Sequence, residues 1–168
     1  SFFWSEETGR IDLTPDWDGG SLGRAMNNTD VIVGQLKGPW PDYTKFAFLW
    51  KRGRWTKLAD LVAPGSGWTF ADAFDINDAG QIVGQGNRGG FLLIPGEPYY
   101  EIVRLRDRLG YEVTPYAINN SGAIAGTASV NTRKVAFLWS DNTFHRIGTL
   151  GGDEGHALDV NESLQVVG

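Results

Sequence analysis

Five aromatic side chains and a few carboxylates are the residues whose types and spacing invite chemistry. Trp17 lies between Asp16 and Asp18, and Trp40 lies between Pro39 and Pro41 with Asp42 and Tyr43 following. Trp68 and Tyr111 stand in two further connections, each beside a glycine. Rigid aromatic faces beside carboxylates suit stacking on a sugar ring or gripping a peptide. Trp17, Trp40, Tyr43, Trp68 and Tyr111 are therefore the expected ligand-binding residues. The competing account is that each merely seals a gap, since scattered apolar surface residues need no function.

The acidic residues carry less. Asp153-Glu154 is an adjacent carboxylate pair in a Gly-rich turn, and glycoside cleavage needs two carboxylates. A lone adjacent pair is more often a solvated loop, so no catalytic residue is assigned. Asp16-Trp17-Asp18-Gly19 and Asp75-Ile76-Asn77-Asp78 have the alternating oxygens of a calcium loop but lack its closing acidic ligand. His145 and His156, the two histidines, belong to no spaced pair of ligands. The reading is of no metal and no cofactor.

What positions these residues is an internal repeat. Asn27, Asn77, Asn119 and Asn161 each precede a glycine by seven residues: Gly34, Gly84, Gly126 and Gly168. A second block, Phe2-Phe3-Trp4, Phe48-Leu49-Trp50, Phe91-Leu92-Leu93 and Phe137-Leu138-Trp139, alternates strictly with the first. The asparagines recur at 50, 42 and 42 residues, so the blocks keep their internal spacing while the segments between them vary. That behaviour marks stacked units whose variable parts are loops.

One copy reads as four strands. Ala73 to Ile76 is a short apolar-biased stretch, Asn77-Asp78-Ala79-Gly80 is turn chemistry, and Gln81 to Gly84 is β-branched and ends on glycine. Gly90 to Leu93, a turn at Pro95-Gly96 and the alternating Tyr100 to Leu105 complete the set. Asn-x-Ser/Thr triplets at Asn27, Asn119 and Asn161 match glycosylation acceptors, but a tight turn wants asparagine without any modification.

Four strands per copy is the blade of a β-propeller. The expected fold is thus all-β: a propeller or partial propeller of four four-stranded blades, in one domain over 1–168 with copies at about 1–45, 46–88, 89–134 and 135–168. The last copy stops after its second strand, so the chain is expected to be an excerpt of a longer propeller. Trp4, Trp50 and Trp139 recur at one strand position and are expected in the core between blades, each burying roughly 150–250 Å². With the strands labelled a to d, the b–c and d–a connections emerge on one face. There the five aromatics are expected to converge around the central channel.

Composition narrows the partners. With 20 Asp+Glu against 15 Lys+Arg, the net charge of −5 offers no footprint for nucleic acid. No apolar run approaches the roughly 20 residues of a membrane-spanning helix, and the first residues are not a signal peptide. Zero cysteine removes disulfides and thiolate metal sites.

Ala-Phe-Leu-Trp at 47–50 and 136–139, Ile-Gly-Thr-Leu-Gly-Gly at 147–152, Ala-Ile-Asn-Asn-Ser-Gly at 117–122 and Ile-Val-Gly at 82–84 together resemble the bacterial HAF repeat, and the likeness runs over essentially the whole chain. The histidine of the family's His-Ala-Phe tripeptide is replaced by Phe46, Gly90 or Val135, and Leu-Gly-Gly is intact only in the last copy. The resemblance implies an exported bacterial repeat protein, extracellular or at the cell surface, and transfers no catalytic residue. The expected function is a binding or structural module that takes a glycan or protein ligand on the face of the b–c and d–a loops. The alternative is a carbohydrate-active hydrolase or lyase with its acids around the channel.

Overall fold

The computed structural model describes residues 1–106, 109–149 and 151–168. It is all-β. A hairpin of β1 (Phe2–Ser5) and β2 (Gly9–Asp12) precedes a sheet of β3 (Gly20–Met26), β4 (Ile32–Lys37), β5 (Lys45–Lys51) and β6 (Arg54–Lys57). A second sheet holds β7 (Phe70–Ile76), β8 (Ile82–Gly86), β9 (Gly89–Ile94) and β10 (Glu101–Arg104). The third holds β11 (Val113–Ile118), β12 (Ile124–Val130), β13 (Arg133–Ser140) and β14 (Thr143–Gly148), and a short hairpin of β15 (Asp159–Val160) and β16 (Val166–Val167) follows. Within the four-stranded sheets every strand pairing is antiparallel between chain neighbours, so each sheet is a simple meander; outside the strands a single parallel bridge joins Val62 to Tyr100. No helix among the described residues is long and apolar enough to cross a membrane.

The four-stranded unit is therefore present, and successive units pack face against face. Phe3 and Leu13 meet Phe48 and Trp50; Val33 and Ala47 meet Phe70, Ala73 and Ile82. Val83 and Leu92 then meet Val113 and Ile124, and Ala117 and Ala125 meet Ala157 and Val160. No hydrogen-bonded pairing among the described residues joins β16 to β1, so the sheets form no closed ring.

The tryptophans expected in the core divide. Trp50 is buried, Trp139 is half-buried and Trp4 is 61% exposed. In the three complete sheets the first residue of the run, Phe48, Phe91 or Phe137, is fully enclosed, because each stands directly opposite the repeat glycine: Gly34, Gly84 or Gly126. The glycine leaves the room that the ring fills. A Cβ on Gly84 would lie 2.6 Å from the Phe91 ring, and one on Gly126 would lie 2.7 Å from the Phe137 ring.

The first strand of each four-stranded sheet also carries a β-bulge at the same place. Pairing skips from Gly23 to Ala25, from Ala73 to Asp75 and from Pro115 to Ala117. The extra residues, Arg24, Phe74 and Tyr116, are re-aimed by the bulge and meet one another. The Arg24 guanidinium lies 5.7 Å from the Phe74 ring centre, and the Phe74 and Tyr116 rings are 5.7 Å apart. Arg24 also donates two bonds to the buried Asp72 carboxylate, at 2.6 and 3.3 Å.

The repeated asparagines do two jobs. Within its own turn each accepts through Oδ1: from the Val31, Gln81, Ala123 and Gln165 N–H groups, at 2.8–3.0 Å. Across sheets the side-chain amide donates to the backbone carbonyl of the next asparagine: Asn27 to Asn77, Asn77 to Asn119 and Asn119 to Asn161, at 2.9–3.0 Å. The same atoms that stabilise the hairpin thus set one sheet's height against the next.

A parallel ladder of exposed groups runs beside it. Asp78 accepts from the backbone and side-chain N–H of Asn28, both at 2.8 Å, and from the Asn120 amide at 2.9 Å. These bonds hold its pKa below the usual carboxylate value. Its stabilising contribution is fully present above the unfolded value near ~3.9 and is lost as pH falls through the lower folded value. Asp75 behaves oppositely. Burial pushes its pKa up despite bonds from the Ile76 and Ile118 N–H groups, so its ionised form is a cost that disappears on acidification. The expected result is that Asp78→Ala melts lower than the parent at neutral pH, while the gap narrows below pH ~4. Melting temperature against pH tests this, and a gap that persists unchanged in acid would refute it.

Candidate functional site

The loop face is built unequally. The b–c connections of the second and third sheets are tight turns at 87–88 and 131–132, whereas the first sheet's spans residues 38–44. This is where the longer 50-residue repeat places part of its extra length. The loop is closed at its base by Gly38 N–H donating to the Thr44 carbonyl at 2.8 Å. Asp42 accepts from both the N–H and the hydroxyl of Thr44, which lowers its pKa. Thus anchored, the loop presents Trp40, 79% exposed, and Tyr43, 53% exposed.

Around this loop three lysines keep unneutralised charge. Lys37 and Lys45 stand directly opposite each other on β4 and β5, an arrangement that is destabilising for like charges. Lys37 Nζ sits 4.2 Å from the Tyr43 ring centre, and Lys57 Nζ sits 4.2 Å from Phe46 and 5.5 Å from Trp17. Among the described residues none of the three forms an ion pair. Aromatic faces hold these ammonium groups without cancelling their field.

Beside them is a cavity of about 240 Å³ between the first and second sheets, lined by Thr44, Lys45, Phe46, Ala47, Lys57, Ala59, Thr69 and Phe70. Its aromatic walls connect two of the residues expected from the sequence. Trp17 packs edge-on against Phe46 at 6.1 Å and Trp55 at 5.7 Å, and donates its indole N–H to the Lys37 carbonyl at 3.1 Å. Trp68 stacks on Phe70 at 5.8 Å with the planes 8° apart. The row Trp17, Phe46, cavity, Phe70, Trp68 thus spans the two sheets, with Trp40 and Tyr43 on the adjoining loop.

Tyr111 is placed apart from this row. Its hydroxyl donates to Asn131 Oδ1 at 3.2 Å, tying its connection to the tight turn of the third sheet. Trp17 and Trp68 likewise reach the end of the b strand of the sheet they lead into, at the Lys37 carbonyl and beside Gly86. One aromatic per connection is therefore a sealing pattern, on which the long 38–44 loop is superimposed. Of the five aromatics, Trp40 and Tyr43 are the most exposed, and Trp17 and Trp68 present their remaining faces at the ends of the row. Phe46, Phe70 and the lysines were missed because each reads as an ordinary strand residue. The opposed lysines become a signal only once the β4–β5 register is known.

The adjacent carboxylates weighed for glycoside cleavage face different partners. Asp153 faces Arg133 at 3.6 Å, and Glu154 faces His156 at 3.8 Å. The oxygens of Asp75 and Asp78, expected in the weak calcium pattern, accept hydrogen bonds from backbone and amide N–H groups. Among the described residues no group of three or more His, Cys, Asp or Glu is arranged to hold a metal ion.

Fold and site together define an all-β repeat protein of stacked antiparallel meanders with an aromatic, lysine-rimmed cavity at its loop face. No family model, curated protein or solved structure matches the chain.

Proposed function

We propose that this chain is a non-enzymatic binding module, part of an exported β-propeller, whose ligand sits on the face carrying the 38–44 loop. The observation that carries the reading is the solvent-facing pair Trp40 and Tyr43 beside the cavity between the first two sheets. Repetition of one meander at one register supports the propeller geometry, and the likeness to HAF repeats supports export. Exposed aromatic rings with a neighbouring apolar slot are what a sugar face stacks on. Lys37, Lys45 and Lys57 favour an acidic glycan over a neutral one, because binding a carboxylate or sulfate relieves their mutual repulsion.

Titration with acidic and neutral oligosaccharides, followed by tryptophan fluorescence, tests the proposal. Acidic sugars are expected to bind more tightly, with affinity falling as salt screens the lysines. Trp40→Ala is expected to weaken binding roughly tenfold or more while leaving the melting temperature unchanged, since its side chain is largely in solvent. Failure of both sugar classes to bind, or full affinity in Trp40→Ala, would sink the proposal.

A further inference from the structure

We infer that the acidic ligand is held as an internal stretch of a polymer, and that Arg88 is the residue that discriminates a chain from a short fragment; this rests on the acidic-glycan reading above. The cavity between the first two sheets is lined by two cations, Lys45 and Lys57. A single acidic sugar seated in it meets only those two. Two further cations stand outside the lining, one on each sheet. Lys37 is on the first sheet, at the base of the 38–44 loop and against the Tyr43 ring. Arg88 is on the second sheet, in the tight turn between β8 and β9. Arg88 is exposed and, among the described residues, forms no ion pair.

The connection between the two sheets brings Arg88 to the cavity. After β6 the chain makes a 3-10 turn over Leu58–Leu61 and enters β7 through Gly67, Trp68 and Thr69. Asn87, the neighbour of Arg88, clamps this last stretch with three bonds. Its Oδ1 accepts from the Thr69 N–H at 3.0 Å, its side-chain amide donates to the Gly67 carbonyl at 3.1 Å, and its backbone N–H donates to the Thr69 carbonyl at 3.0 Å. The Arg88 guanidinium then lies against Gly67, with Nη2 2.5 Å from the point that a Cβ would occupy. Glycine serves twice here: at φ 70° it takes a conformation that other residues resist, and it leaves room for the guanidinium. Thr69, at most about 7 Å further along the chain, is itself a wall of the cavity. Trp68, between them, is half-buried and stacked on Phe70, another wall. Glu112, the carboxylate beside Gly89, faces Arg104 at 3.7 Å and leaves the Arg88 charge uncancelled.

Cations on both flanks of an apolar slot suit a chain that enters over one sheet and leaves over the other, with acidic groups on successive units. A lone sugar cannot use Lys37, the cavity and Arg88 together. A chain held at one of these positions meets the next at high effective concentration. Because the Asn87 bonds already fix the stretch under Arg88, little freedom is lost there on binding.

Calorimetric titration with oligogalacturonates of two and six units tests the inference. The hexamer is expected to bind at least tenfold more tightly than the dimer, and its affinity is expected to fall more steeply with salt. Arg88→Gln is expected to weaken hexamer binding about three- to fivefold, the size of one exposed ion pair, and to leave dimer binding and the melting temperature unchanged. Arg88→Lys, which keeps the charge, is expected to retain most of the parent's hexamer affinity. Equal affinity for the two lengths in the parent, full hexamer affinity in Arg88→Gln, or equal weakening of both lengths would each overturn the inference while leaving the acidic-glycan reading in place. Binding of neither length would remove that reading and this inference with it.

Discussion

Gly84→Ala is expected to destabilise the protein by about 3 kcal/mol or more, at the upper end of overpacking effects. The φ angle of Gly84 is not in the left-handed region; the obstacle is space. A Cβ there would lie 2.2 Å from the Asp72 carbonyl oxygen, 3.0 Å from the Ala73 Cα and 2.6 Å from the Phe91 ring. The ring is part of a side chain and can shift, but the backbone of β7 is fixed by its own pairing on both sides of the bulge. Phe91→Leu is therefore not expected to rescue Gly84→Ala, whereas simple competition for side-chain volume would predict rescue. Urea titration of the two single variants and the double variant decides this. Recovery of most of the lost stability in the double variant would show that the backbone approach is soft. Gly34 and Gly126 make equally close approaches, to the Leu22 and Thr114 carbonyls at 2.0 and 2.2 Å, so the same response is expected at either position.

Asn77→Ala is expected to cost about 3 kcal/mol, because a buried side chain with three hydrogen bonds is removed and its partners are left short. Asn77 Oδ1 accepts from Gln81 N–H at 2.9 Å; its amide donates to the Asn119 carbonyl at 3.0 Å and to Gln81 Oε1 at 2.8 Å. Asn77→Asp separates the two jobs. Aspartate serves a tight turn nearly as well as asparagine and keeps the acceptor, but it sets a carboxylate against the Asn119 carbonyl. A loss of about 2 kcal/mol or more is expected, measured by chemical denaturation. A stability within a few tenths of the parent would mean that the turn alone explains the asparagine. The corresponding exchange at Asn161 is expected to be milder, since that side chain is exposed and its amide reaches only Gln165.

Much of the fold was legible because the forces that specify it are local. The seven-residue interval from asparagine to glycine encodes a strand, a tight turn and a second strand, and Asn77-x-x-Gly80 folds accordingly, with Gly80 at φ 77°. The same turn forms where the pattern is broken, with Asp30 and Leu164 at φ 59° and 58° in place of glycine. Side-chain bonds from Asn27 and Asn161 hold it in both cases. The site was only partly legible. Trp40 and Tyr43 stood out by their loop chemistry, but Phe46 and Phe70 belong to different sheets, and only stacking makes them walls of one cavity.

The sequence by itself determined the repeat, the order of four strands in each unit, the positions of the tight turns and the all-β class. Each follows from steric and hydrogen-bonding preferences of residues within about ten positions of one another. The tertiary structure alone decided which members of an identical pattern are buried. Phe2 and Phe48 head the same aromatic block, yet one is in solvent and the other is enclosed; Trp4 and Trp50 differ in the same way. It also decided that the asparagine amides point outward, to carbonyls 42 or 50 residues away. The reason is that burial and cross-sheet bonding depend on which surface lies against a strand. That surface is supplied by the neighbouring unit and not by the strand's own residues.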